Sequence, residues 1–160
     1  MPDRITHRFN TPVGLVEVTE RGGALVFMDM VDGAELAEPL PAPTALLAEA
    51  ERQLSEYFSG ERREFDLPIH AEGTPFQWAV WEQLRKIPYG ETCSYGDIAR
   101  ALGKPGTARA VGMANNRNPI GIIVPCHRVV GSTGALVGYA GGLDRKKYLL
   151  DLERHTREQG

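Results

Sequence analysis

The sequence is poor in cysteine, in long apolar runs and in cofactor motifs, and each shortage removes a class of protein. Only Cys93 and Cys126 occur among 160 residues, too few for a disulfide-built scaffold or an all-cysteine zinc site. No apolar stretch nears the ~20 residues of a membrane span; Ile120-Gly-Ile-Ile-Val124 is among the longest. The first ten residues lack the apolar stretch of a secretion signal. A cytoplasmic protein with reduced thiols is therefore expected, with no membrane association. No Gly-rich dinucleotide loop or metal-ligand cluster stands out, so no cofactor is expected. With 42% hydrophobic and 24% charged residues, the chain is neither disordered nor coiled coil.

Charge is unevenly distributed. Residues 1–73 carry six Lys/Arg against fourteen Asp/Glu, a balance of −8, and residues 74–160 carry twelve against seven, a balance of +5. The net −3 disfavours a polyanionic partner for the whole chain, whereas the C-terminal half weakly favours one.

The pattern predicts a small antiparallel-sheet lobe with a helix, then a mainly helical lobe. Ile5, His7 and Phe9 alternate in strand fashion. Gly14-Leu-Val-Glu-Val-Thr19 and Ala24-Leu-Val-Phe-Met28 flank an Arg21-Gly-Gly23 hairpin signal. After the Pro/Ala-rich stretch Glu38–Pro43, Thr44 caps a helix carrying Leu46, Leu47, Ala50, Leu54, Tyr57 and Phe58 at helical spacing, which Gly60 closes. Residues 61–73 read as a linker with one short strand, Glu64–Leu67. The division is thus 1–73, a strand-rich lobe with linker, and 74–160, a helical lobe.

In that second part Thr74-Pro75 opens a helix with Phe76, Val80, Trp81 and Leu84 on one face, and Pro88-Tyr-Gly90 breaks it. Ser94 and Thr107 each cap a short helix, with a Gly-Lys-Pro-Gly turn between them, the signature of a helix-turn-helix. The second helix is unusually small-sided: Ala108, Ala110, Gly112 and Ala114. Such a face admits a close neighbour, either another helix or a nucleic-acid groove.

Asn118-Pro-Ile-Gly-Ile-Ile-Val-Pro-Cys-His-Arg-Val-Val130 concentrates the reactive side chains. If Pro125-Cys126 opens a helical turn, the exposed amides and dipole favour a thiolate at Cys126. Adjacent helical residues do not face each other, so His127 needs a bridging water to reach the sulfur and a carboxylate to orient its other nitrogen. Cys126 is then a candidate activated nucleophile.

Pro125-Cys-His-Arg-Val129 resembles the active-site signature of the O6-alkylguanine-DNA alkyltransferases (methylated-DNA–protein-cysteine methyltransferases). The resemblance runs over roughly residues 74–155 through Tyr95, Arg109 in Ala-Arg-Ala-Val-Gly, Asn118-Pro119, Gly138-Tyr-Ala-Gly-Gly142, the Lys146/Lys147 pair and Leu149–Glu153. It implies direct repair of double-stranded DNA: an alkyl group on guanine O6, and on thymine O4, moves irreversibly to Cys126, once per molecule. In that scheme His127 takes the thiol proton through water and Glu153 orients the imidazole. Tyr95 donates toward the base, and Asn118 holds the turn that places Cys126. Val124, Pro125, Tyr139, Ala140 and Gly141 line the alkylguanine pocket. Thr107, Ala108, Arg109, Ala110, Gly112 and Arg128 meet DNA, with Arg109 filling the gap left by a flipped base.

The implied protein is a monomer without an obligate protein partner, binding DNA singly or cooperatively, and nucleoid-associated if bacterial. The N-terminal lobe has no cysteine and only His7 and His70, so the zinc of some relatives is not expected. Gly121 and Gly131 suggest a roomy pocket. Cys126 itself argues against the non-catalytic relatives, in which tryptophan replaces the nucleophile.

Overall fold

A computed structural model of the chain describes residues 3–31, 40–135 and 142–159. The chain divides into two compact units, Met1–Ala71 and Glu72–Gly160. The first is an antiparallel sheet of β1 (Ile5–Thr11), β2 (Gly14–Arg21) and β3 (Ala24–Met30), in that order, with helix α1 (Ala45–Phe58). The turn between β2 and β3 demands glycine: Gly22 and Gly23 have φ of 62° and 84°, the two left-handed positions of a tight hairpin whose twist suits the strands. Val16, Val18, Leu25 and Met28 are buried with Leu47, Ala50, Leu54 and Tyr57 of α1 to form this unit's core. Thr44 caps α1 by accepting from the Leu47 amide.

Residues 64–67, expected as a strand, are irregular. Buried Gln53 accepts from the Asp66 amide and donates to its carbonyl, at 2.9 and 3.1 Å. A side-chain amide thus occupies the backbone groups a strand would need. Pairing occurs a few residues later, where Leu25 donates to the Pro68 carbonyl and accepts from the His70 amide.

The second unit contains α2 (Pro75–Leu84), β4 (Cys93–Ser94), α3 (Tyr95–Ala101), α4 (Ala108–Asn116), β5 (Val129–Val130) and α5 (Leu143–Gln159). Reciprocal caps start α2, from Thr74 and Gln77, and α3, from Ser94 and Asp97. The first of these helices ends at Leu84, four residues ahead of Pro88, because the chain tightens through Gln83–Lys86 and Leu84–Ile87 bonds and a residue preceding proline avoids the helical region. Thr107, expected to cap α4, does lie at its start, but its hydroxyl donates to the Lys104 carbonyl instead of accepting from a helix amide. Strands β4 and β5 pair in parallel, Cys93 with Val129 and Ser94 with Val130, which ties the approach to α3 to the segment just after Cys126.

Candidate active site

Cys126 opens a single 3₁₀ turn, Cys126–Arg128, and is 8% exposed. The turn is too short to carry the helix dipole expected for thiolate stabilisation, and the Cys126 amide already donates to the Val124 carbonyl at 2.8 Å. What shapes the approach is side-chain bonding. Asn118 Nδ2 donates to the carbonyls of Val124 (2.8 Å) and Ile120 (3.3 Å), while its Oδ1 accepts from the Ile120 amide. Inside that loop Ile122 has φ of 68°, a strained value for a β-branched residue. Neither Cys126 nor Cys93 is in a disulfide.

His127 and Glu153 are both fully buried, with Nε2 to Oε2 at 2.7 Å. The same carboxylate accepts from Arg128 Nε at 2.8 Å, from Arg128 Nη2 at 3.0 Å and from the Gly90 amide at 3.2 Å. Burial pushes Glu153 up, but the His127 and Arg128 charges and hydrogen bonds outweigh it and hold the carboxyl well below the usual range. Burial likewise pushes His127 down, and Arg128 and Lys146 add to that against the pull of Glu153, so the ring is neutral at pH 7. An anionic Glu153 accepts, hence Nε2 carries the ring proton and Nδ1 bears the lone pair. Nδ1 has no protein partner among the described residues, so His127 does not bond the Cys126 sulfur directly.

Arg128, expected at the DNA, is 7% exposed and donates to Glu153 twice and to the Ile87 carbonyl at 2.8 Å. That placement corrects the sequence reading. A guanidinium committed to a buried carboxylate is not available to phosphate.

Tyr95 is half-buried; burial and the charge of Cys126 push its hydroxyl up. Half-buried Cys93 is pushed up to about 11, by burial and by Asp97. Arg109 and Ala110 project outward on α4, Thr107, Ala108 and Gly112 are half-buried, and Val124 and Pro125 are buried. A Cβ on Gly112 would lie 3.7 Å from the Tyr95 ring, an ordinary contact, so packing alone does not require glycine there. Tyr139, Ala140 and Gly141 fall outside the described residues.

Sequence reasoning missed two buried polar residues. Lys146 donates to the Val129 carbonyl, and burial pushes its pKa down while the Cys126 charge pulls it up. Its signal was present: Lys146, Leu149, Leu150 and Glu153 share one helical stripe. Asn115 donates from Nδ2 to the Cys126 carbonyl at 3.3 Å. Among the described residues no group of three His, Cys, Asp or Glu could hold a metal, and no helix is long and apolar enough to cross a membrane.

Fold and site together define a helix-turn-helix protein with a cysteine set beside a buried histidine–glutamate pair. Residues 75–155 match the family model of the 6-O-methylguanine DNA methyltransferase DNA-binding domain, and residues 5–71 that of its ribonuclease-like domain. A methylated-DNA–protein-cysteine methyltransferase of Mycobacterium leprae is 52% identical over 151 residues, covering 91% of this chain and 90% of the relative. The crystal structure of the Mycobacterium tuberculosis O6-methylguanine methyltransferase is 45% identical, with TM-score 0.86 over 96% of this chain and 94% of that one. A second structure from that organism, in complex with DNA, is 46% identical, with TM-score 0.86 over 94% and 93%. The chain belongs to the 6-O-methylguanine DNA methyltransferase family.

Proposed function

We propose that this chain reverses DNA alkylation directly, moving the alkyl group from guanine O6 in double-stranded DNA onto Cys126, where it stays. The observation that carries the reading is the buried Glu153–His127 pair, which leaves a lone pair on Nδ1 of the residue beside the cysteine. A neutral imidazole in that tautomer accepts the thiol proton through a water, and Glu153 stabilises the resulting imidazolium. The Sγ–carbon bond forms as the carbon–O6 bond breaks. Tyr95, whose raised pKa keeps its proton in place, donates toward the departing guanine. Asn118 positions the nucleophile through the Val124 carbonyl. Among the described residues, Val124 and Pro125 line the alkylguanine pocket in this reading.

Residues 74–160 are the catalytic and DNA-binding part in this reading, and 1–73 the strand-rich lobe with its linker. The target base must leave the duplex to be reached. Arg109, exposed on α4, fills the space it vacates, and Thr107, Ala108, Ala110 and Gly112 let the helix approach a minor groove. The DNA complex of the Mycobacterium tuberculosis relative supports that partner. Intact-protein mass after incubation with duplex carrying one O6-methylguanine tests the function. One methyl group gained on Cys126, absent in Cys126→Ala, is expected; many lesions repaired per molecule would reject it.

A further inference from the structure

Asn115 lies in the last turn of α4 and is only 1% exposed. Its Nδ2 donates to the carbonyl of Cys126, an oxygen that also accepts the Val129 amide closing the 3₁₀ turn. Its Oδ1 is buried and takes no hydrogen bond from any described protein group. An unsatisfied buried acceptor opposes folding, so an apolar residue of similar size would suit packing better. An asparagine is therefore explained by what its donor holds and not by stability.

The same helix is anchored one residue earlier, where buried Trp81 Nε1 donates to the Ala114 carbonyl at 2.9 Å. On its outer side α4 exposes Arg109, Ala110 and Met113, the last at 64%. One rigid element thus carries both the outward-facing residues and a hydrogen bond to the nucleophile's own backbone. Asn118 grips the Val124 carbonyl, two residues before the reactive residue, and Asn115 grips the carbonyl of Cys126 itself, so two asparagines hold the backbone that enters and leaves Cys126.

We propose that Asn115 is a positioning residue for alkyl transfer, fixing the Cys126 backbone to helix α4 so that the sulfur is held in line with the alkyl carbon. The inference rests on the alkyl-transfer reading above. Asn115→Leu keeps the volume and removes both the donor and the unsatisfied acceptor; Asn115→Asp keeps the shape and removes the donor at neutral pH.

Single-turnover transfer is measured for wild type and both variants with duplex containing O6-methylguanine and with the free base O6-methylguanine, alongside thermal melts and affinity for undamaged duplex. The maximal rate is expected to fall about tenfold or more in both variants and by the same factor on both substrates. DNA affinity is expected to stay unchanged, and the Leu variant to melt no lower than wild type. A Leu variant that transfers at the wild-type rate would overturn the proposal, as would a rate loss matched by loss of folded protein in both variants. No transfer by wild type itself would overturn the alkyl-transfer reading and this inference with it.

Discussion

Glu153 binds four donors at once, and the consequences of losing its charge follow from burial. In Glu153→Gln the Arg128 guanidinium stays enclosed without a countercharge, a change that costs about 3–5 kcal/mol in comparable buried pairs. Denaturant melts should show a loss of that order, and transfer should slow because His127 is no longer held in one tautomer. Acid should act in the same direction. Both His127 and Glu153 have folded pKa values below their unfolded ones, so the unfolded chain holds the extra proton as pH falls. Their stabilisation is complete above about pH 6.5, then declines, first through His127 and below about pH 4.3 through Glu153. Melts from pH 8 to 4 should show this decline, and His127→Gln should remove its upper part. The two thiols should differ as sharply. Cys93, pushed up to about 11, is a neutral thiol at physiological pH, and Cys93→Ser should accept a methyl group on Cys126 at the wild-type rate.

Helix starts that look alike in sequence do different work as elements. Thr74 and Gln77 exchange hydrogen bonds at the start of α2, whereas Thr107 turns its hydroxyl back to Lys104 at the start of α4. Thr74→Ala should therefore cost about 1 kcal/mol, and Thr107→Ala clearly less, in paired melts under the same conditions. The exposed side of α4 predicts a different kind of loss. Arg109→Ala should impair transfer from duplex DNA far more than from the free alkylated base, since only the duplex requires extrusion of the target. Equal losses on the two substrates would remove Arg109 from that role. The contrast with Asn115, whose loss should affect both substrates alike, separates the outer and inner faces of one helix.

Across the whole molecule the balance of +5 in residues 74–160 should govern DNA affinity through phosphate contacts. Neutralising about two to four phosphates implies a ten- to hundredfold weakening between about 50 and 200 mM salt, with little dependence on sequence; fluorescence anisotropy titrations check both. Much of the molecule could be read from its residues in order. Hairpin glycines, helix caps and the stripe of α1 act over a few residues, where backbone geometry and period carry the information. Asn118, Cys126 and His127 lie close along one loop, so their proximity followed from the chain itself. The tertiary structure decided what distance along the chain conceals. Gln53 takes the backbone of Asp66 and removes an expected strand; Arg128 pairs with Glu153, 25 positions away, and leaves the DNA-facing set. Lys146 reaches the Val129 carbonyl, and Asn115 the Cys126 carbonyl. The physical reason is the same in each case. Periodicity tells which side chains turn inward, but the partner of a buried polar group is set by whichever distant segment packs against it.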